Sequence, residues 1–369
     1  MRLRSVAIAL CCGLGLTAGA WAQIKIGQTA GFSGPVAAGV KETTDGAKLY
    51  LNSVNAAGGI NGQSIELISL DDKFEPPLAA ENAKKLIDQG VIALFLNRGT
   101  PHSQAILPLL AEHKLALVAP STGAMLLHKP VNPYVFNVRA TYQREAERAI
   151  QHLVGMGVSR IALAQVDDSF GADAATGALK GLQVAKIQAV AHLVFPRVKP
   201  DLAPLMAQLA KADVQALLFI GSGDTVVDGV QALRAAGSNA QVATLSNNAS
   251  AGFVKRLDKL GRGVIVSQVF PSERSLNTPM IREAHELAKA AGLTELTPSN
   301  LEGFAAAKVL VAGLRKAGKD LSRASLLRAL DGLGKHDLGG LELQFSSTDH
   351  TGLDYADLAI IGPDGKFWR

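Results

Sequence analysis

Two cysteines are all the chain contains, Cys11 and Cys12, and both lie close to its start. They sit in an uncharged apolar run, Ser5 to Ala20, that follows a short basic stretch with Arg2 and Arg4. Ala20-Trp21-Ala22 then supplies the small–x–small pattern a signal peptidase reads. Residues 1–22 are therefore expected to be a cleavable leader, cut after Ala22, leaving a mature chain that begins at Gln23. A lipid anchor is not expected, because Leu10 precedes Cys11 and Cys11 precedes Cys12, where lipoprotein attachment needs a small residue. Without the leader no thiol remains. That excludes disulfides, thiol catalysis and cysteine-based metal sites, even in an oxidising compartment.

Long hydrophobic runs are equally scarce. The leader's run falls short of the roughly 20 apolar residues a membrane-spanning helix needs, and no later segment approaches that length. Charge of one sign is also lacking: the formal net charge is only +5, two units of it from Arg2 and Arg4. So mild and scattered an excess gives no footprint for nucleic acid. With 369 residues and 48% hydrophobic composition, the chain can be held by its core alone, most naturally as two domains.

Catalytic signatures are missing too. Gly31-x-Ser33-Gly34 is not the Gly-x-Ser-x-Gly nucleophile elbow. There is no Walker loop, no His-Glu-x-x-His, no calcium loop, and no Gly-x-Gly-x-x-Gly between a strand and a helix. The eight histidines are scattered without metal-ligand spacing. Asp71-Asp72 has the look of an acid pair, but at a strand end it reads as a cap for the adjacent loop. No catalytic residue, metal ligand or cofactor is expected, and the protein is not expected to be an enzyme.

What is present is a regular alternation of short apolar strands and longer amphipathic helices. Strands are expected at Ile24–Gly27, Ile65–Leu70, Val91–Leu96 and Leu115–Ala119, with helices over Val36–Asn55, Pro77–Gln89 and Ser103–His113 between them. The rhythm restarts after Pro133, with strands at Ile161–Gln165, Ala189–Phe195, Ala216–Ile220 and Gln241–Leu245 separated by further helices. Such strands imply parallel sheets covered on both faces, giving two doubly wound α/β units. The stretch from Ser272 to Ala329 is helical, with too few strands to stand alone, and should return to cover the first unit. Leu341–Phe345 and Leu358–Ile361 read as strands near the end.

In open α/β sheets a ligand lies beyond the carboxyl ends of the strands. Asn97-Arg98-Gly99-Thr100-Pro101 follows one such strand, with Thr100 expected as N-cap and Pro101 as the first helical residue. Pro120-Ser121-Thr122-Gly123 follows another. Together these loops offer hydroxyls, free amides and helix-terminus partial charge for an anion such as a carboxylate, or they are ordinary caps. In the second unit, Asp167-Asp168-Ser169-Phe170-Gly171 and Gly221-Ser222-Gly223-Asp224 hold corresponding places. Phe170, and likewise Phe32 after the first strand, reads either as an aromatic closing over a ligand or as a core anchor.

Residues 24–62, with Ser33-Gly34-Pro35, Gly46-Ala47 and Asn55-x-x-Gly58-Gly59-Ile60-x-Gly62, resemble the branched-chain amino-acid-binding proteins of bacterial ABC transporters. The likeness continues through Asp71-Asp72, Asp168-Ser169-Phe170-Gly171, Arg234-Ala235-Ala236-Gly237 and Leu301-Glu302-Gly303-Phe304, and covers essentially the whole mature chain. It implies the type I periplasmic binding protein fold: two Rossmann-like lobes joined by three hinge crossovers, with ligand held between them. Lobe 1 would be residues 23–141 with 272–346, and lobe 2 residues 142–271 with 347–369. The chain would then be a periplasmic monomer that passes its ligand to the permease subunits of an inner-membrane ABC importer. A ligand sensor docking to a membrane kinase or chemoreceptor is the alternative. The lobes also resemble the core of certain repressors, which the leader segment argues against.

By that resemblance the loops at Thr100 and Ser121–Gly123 hold a ligand carboxylate, with Pro101, Thr122, Phe170, Ser222, Ser246 and Phe32 as further candidate binding residues. The departures concern the other end of the ligand. Ser246-Asn247-Asn248 stands where amino-acid binders keep an acid for the ammonium, and Ser222 where they keep a tyrosine. A first-loop aromatic is replaced near Gly39, and Phe74 and Gly99 stand where the family has a disulfide. An ammonium without an anionic partner forgoes a charge-assisted hydrogen bond of about 1.5–3 kcal/mol. Leucine, isoleucine and valine are therefore not expected to be the best ligands; an aromatic or short aliphatic acid is.

Overall fold

A computed structural model describes residues 23–369. The leader, its cleavage site and the absence of a lipid anchor all concern residues 1–22 and lie outside the described residues. The chain begins with β1 (Ile24–Ala30), α1 (Ala37–Ala56), β2 (Ile65–Asp71), α2 (Pro76–Asp88), β3 (Ala93–Phe95), α3 (Thr100–His113), β4 (Ala116–Val118) and β5 (Val135–Phe136). These strands form one five-stranded sheet in the order β2-β1-β3-β4-β5, parallel throughout. Its central strands are buried on both faces, which is why they read as unbroken apolar runs.

The second lobe follows with α4 (Tyr142–Gly155), β6 (Ile161–Val166), α5 (Ser169–Val184), β7 (Ala191–Phe195), α6 (Ala203–Lys211), β8 (Ala216–Ile220), α7 (Asp224–Ala235), β9 (Gln241–Thr244), α8 (Ala251–Leu257) and β10 (Ile265–Gln268). Three helices come next, α9 (Pro279–Ala290), α10 (Pro298–Ala317) and α11 (Arg323–Asp331), then an antiparallel pair, β11 (Gly334–Asp337) and β12 (Glu342–Phe345). The last strands, β13 (Asp357–Ile361) and β14 (Phe367–Trp368), complete a seven-stranded second sheet, β14-β13-β10-β9-β8-β6-β7. Its first-formed five strands are parallel, and β13 and β14 join antiparallel.

The α/β architecture and the parallel strands of its two main sheets are those anticipated, while the antiparallel edge formed by β13 and β14 was not. Four strands were not: β5, β10, β11 and β14. Two-residue strands such as β5 and β14 leave no period to read. β10 turns polar at Ser267 and Gln268, both buried, so its apolar run is too short to stand out. In β11, alternate residues of Gly-Lys-His-Asp are half-buried and exposed, which leaves no apolar face in the sequence. Helix α8 also went unread, being only seven residues long.

Helices α9, α10 and α11 pack on the first sheet, sharing one core with β1, β3 and β4, while α2 and α3 cover its other face. The closest helix contact is between α1 and α10, and two glycines permit it. A Cβ on Gly46 would lie 2.0 Å from the Asn300 carbonyl, and one on Gly303 would lie 1.7 Å from the Thr43 carbonyl. Backbones meet there, and the approach brings Glu302, next to Gly303, to the boundary between the lobes. The chain crosses between the sheets at 137–141, 269–278 and 346–356. The first and third crossings are tied together, since Asn137 N–H donates to the His350 carbonyl and Leu353 N–H to the Val138 carbonyl.

Candidate functional site

The carboxyl ends of β3 and β4 carry the first two candidate loops. Helix α3 starts one residue earlier than its sequence suggested: Gly99 is the N-cap and Thr100 is already helical, followed by Pro101. Gly99 has a φ of 102°, a conformation that suits glycine, and any Cβ there would run into His102 at 2.4 Å. Thr100 therefore does not cap the helix with its hydroxyl. It pairs instead with the Thr122 hydroxyl at 2.7 Å, both side chains fully buried. Pro101 lies in the first turn. Gly123 is pressed against the first crossing, where its carbonyl accepts the Tyr142 N–H and a Cβ would sit 2.5 Å from the Ala140 carbonyl.

Ser121 occupies the centre of the seam. Its hydroxyl donates to Glu302 Oε1 at 2.8 Å and accepts from Arg98 Nη1 at 3.3 Å. Arg98 then reaches the other lobe, donating through Nη2 to the Asn247 carbonyl at 2.6 Å. Among the described residues no carboxylate lies within 4.0 Å of this guanidinium.

Arg139, on the first crossing, is surrounded differently. It pairs with Glu145 of α4, donates to Ser246 Oγ at 2.6 Å and lies 3.6 Å from Glu302 Oε1. Its guanidinium stands 4.7 Å over the Tyr142 ring. Burial works against its charge, but Glu145, Tyr142 and Glu302 beside it outweigh that and raise its pKa. Glu145 is filled on its other oxygen, which accepts the Ser246 N–H and the Ser267 hydroxyl. An acid thus does stand beside Ser246, supplied by α4 rather than by the loop after β9, and Arg139 already neutralises it.

From the second sheet, Ser222 accepts a hydrogen bond from the Asn247 side-chain amide at 3.1 Å. Ser121, Ser222 and Ser246 are therefore linked along one seam through Arg98, Asn247, Glu302 and Arg139, while Thr100 and Thr122 bond each other, Thr122 being next to Ser121 in the chain. Phe170 is buried in the second lobe's core, edge-on to Tyr142 with ring centres 4.7 Å apart. Phe32 is half-buried in a small cluster with Val36, Val40 and Phe74. Phe74 stacks on His102 at 4.5 Å, and the Arg197 guanidinium lies 4.9 Å over its ring. Burial, with Arg197 nearby, pushes the His102 pKa down to about 3. Phe74 and Gly99 are neighbours in space, since a Cβ on Gly99 would lie 3.1 Å from the Phe74 ring.

Two small cavities remain in the seam, of about 20 and 30 Å³, each with room for about one water. The lobes are closed on each other here: the Asp224 N–H donates to the Pro35 carbonyl across them at 3.2 Å. The first cavity is lined by Gly39, Arg98, Asp224, Asn247, Ser250 and Arg256 among others, the second by Phe74, Arg197, Ser222 and Thr225. Their charged lining is three arginines to one aspartate. That aspartate, Asp224, is paired with Arg256, and Asp168 at the rim pairs with Arg197 while capping α5. Among the described residues, both aspartates at these cavities are thus already paired with arginines, while Glu302 is engaged through Oε1 by Ser121 and Arg139.

Sequence reading passed over Arg98, Arg139 and Glu145 as site residues. Arg98 carried a signal, being the sole charge between a buried strand and the turn at Pro101. The other two had none: they pair with each other six residues apart, and only folding adds Ser246, Ser267 and Glu302 around them. Asp71 and Asp72 do cap their loops: Asp71 accepts the Ser33 and Lys73 N–H groups, and Asp72 the Phe74 N–H and the Thr29 hydroxyl. Burial lifts the Asp72 pKa to about 7. Among the described residues no group of three or more His, Cys, Asp or Glu could hold a metal, and no helix is long and apolar enough to cross a membrane.

Comparison with known proteins bears on the family and the fold. The family profile described as periplasmic binding protein matches residues 23–366. A Leu/Ile/Val-binding protein of Rhizobium johnstonii is 24% identical over 334 residues, 89% of either chain. The crystal structure of a substrate-binding periplasmic protein from Ralstonia solanacearum superposes with a TM-score of 0.87 at 31% identity, covering 94% of this chain and 99% of that one. A fatty acid ABC transporter substrate-binding protein from Thermomonospora curvata shares the fold, with a TM-score of 0.81 at 20% identity over 93% of this chain and 90% of its own.

Proposed function

Because the chain belongs to the periplasmic binding protein family, we propose that it is the receptor of an ABC importer for a small carboxylate lacking an α-ammonium. On this reading it is exported by its leader and cut after Ala22. Lobes of residues 23–141 with 272–346 and 142–271 with 347–369 close on the ligand, and the closed form docks to the permease. Capture needs no chemistry beyond enclosing the ligand and satisfying its polar groups, and release follows when the transporter favours the open state.

One observation carries the ligand class: of the three arginines lining the seam cavities, Arg256 and Arg197 are paired with Asp224 and Asp168, and Arg98 alone has no carboxylate partner among the described residues. Arg98 is the natural partner for the carboxylate. It is buried, presents a planar donor fork, and is held by a hydroxyl and a carbonyl rather than by an acid. Thr100, Ser121 and Thr122 flank it. Glu145, the acid beside Ser246, is already spent on Arg139, so an ammonium placed beside Ser246 would lose its hydration without gaining an unpaired anion there. Leu/Ile/Val binding by the Rhizobium relative makes an amino acid the outcome to exclude.

A thermal-shift screen of the purified mature protein tests this. Short aliphatic and aromatic monocarboxylates are expected to stabilise it, by about 2.7 kcal/mol at 100 times the dissociation constant, and leucine, isoleucine and valine are not. Strong stabilisation by leucine with none by the simple acids would overturn the proposal.

A further inference from the structure

A second kind of group lies close to the guanidinium. Asn247 lines the first seam cavity beside Arg98, and the two residues touch directly through the Arg98 hydrogen bond to the Asn247 carbonyl at 2.6 Å. The side-chain amide of Asn247 can face only one way. Its Nδ2 donates to the Gly221 carbonyl at 3.0 Å, an atom that can only accept, so the nitrogen must lie on that side. Oδ1 is left facing away, and among the described residues it has no donor, though Asn247 is only 6% exposed. The neighbouring Asn248 shows the contrast. Its amide nitrogen serves the same carbonyl and the Thr244 hydroxyl, while its oxygen accepts the Gly223 N–H. Asn248 is complete, and Asn247 lacks one donor.

A buried acceptor without a donor is costly, and a ligand that supplies one gains what a ligand without it forgoes. From these contacts we infer that the ligand is a hydroxy acid, with its hydroxyl on a carbon close to the carboxylate. The carboxylate sits on Arg98, and the hydroxyl donates to Asn247 Oδ1. This rests on the carboxylate reading above and adds to it the group next to the carboxylate. A hydroxyl suits the position because Asn247 Oδ1 is neutral: it can satisfy a neutral donor fully, whereas an ammonium would keep an uncompensated charge. A site that hydrogen-bonds a ligand hydroxyl discriminates against the analogue without it, because the acceptor is then left buried and unpaired.

The test compares two series of matched skeletons by isothermal titration of the mature protein: isocaproate, its α-hydroxy analogue and leucine, and phenylacetate, mandelate and phenylglycine. In at least one series the hydroxy acid is expected to bind about tenfold or more tighter than the simple acid. In Asn247→Ala, shown to be folded by its thermal transition, that ratio should fall towards one. Equal affinity of hydroxy and simple acids in the native protein overturns the hydroxyl inference and leaves the carboxylate reading standing. Tightest binding by leucine or phenylglycine overturns both. A preference that persists in Asn247→Ala overturns the assignment to Asn247, and binding by none of the six overturns the inference.

Discussion

Arg98 and Arg139 are both buried, both follow strands of the first sheet, and both reach across to the second lobe, yet they are held in opposite ways. Arg139 has Glu145 in direct contact, Glu302 at 3.6 Å and a tyrosine ring beneath it. Arg98 has a serine hydroxyl and a backbone carbonyl. The first arrangement is electrically complete and sits on a crossing between the lobes, where it fixes how they meet. The second leaves a guanidinium short of an anion, facing the seam cavity. The difference separates a structural ion pair from a site that has room, electrostatically, for a ligand.

The largest effect should come from breaking the complete one. Arg139→Met strands Glu145 as an uncompensated buried charge and is expected to cost about 3–5 kcal/mol in urea-induced unfolding. If the loss were under about 1 kcal/mol, the buried pair would be no part of what holds the lobes. Arg98→Met is expected to cost less, about 1–3 kcal/mol for the acceptors left without a donor, while lowering carboxylate affinity at least about tenfold. Equal stability losses in the two variants, with ligand affinity untouched in Arg98→Met, would erase the distinction between them. The smallest change is at Gly39 on α1, also part of the cavity lining. A Cβ there meets only Ser250, at 3.8 Å, so Gly39→Ala should stabilise the helix by about 0.5–1 kcal/mol in the same unfolding measurement. Destabilisation instead would mean that the lobes close more tightly at this point than the cavity implies.

Much of the fold was legible because parallel strands buried on both faces must be apolar, and their covering helices must be amphipathic. The loops at Thr100 and Ser121 were legible for a similar reason, since strand-to-helix turns announce themselves through Thr, Ser, Pro and Gly. The detail at Thr100 was not: its hydroxyl was assigned to a cap, and it bonds Thr122 instead, because Gly99 takes the cap with a positive φ. Phe170 could not be decided from its loop, because lining a cleft and anchoring a core call for the same residue. Packing against Tyr142 inside the second lobe's core assigns its surroundings. Ser246 is instructive in another way. The missing acid after β9 is real, but Glu145 fills the corner from another helix.

From the order of residues alone came the alternation of strands and helices, the parallel strands of the two main sheets, the likeness to a family and the loops at Thr100 and Ser121. These follow from short-range rules, the period of burial along an element and the chemistry of its caps. Which charges cancel was decided only by the tertiary structure. Arg139 with Glu145, Glu302 and Ser246 come from three separate segments, and Arg98 meets Asn247 across 149 positions of sequence. Coulomb energy depends on distance and on the water excluded between charges. Neither quantity exists until the chain has folded.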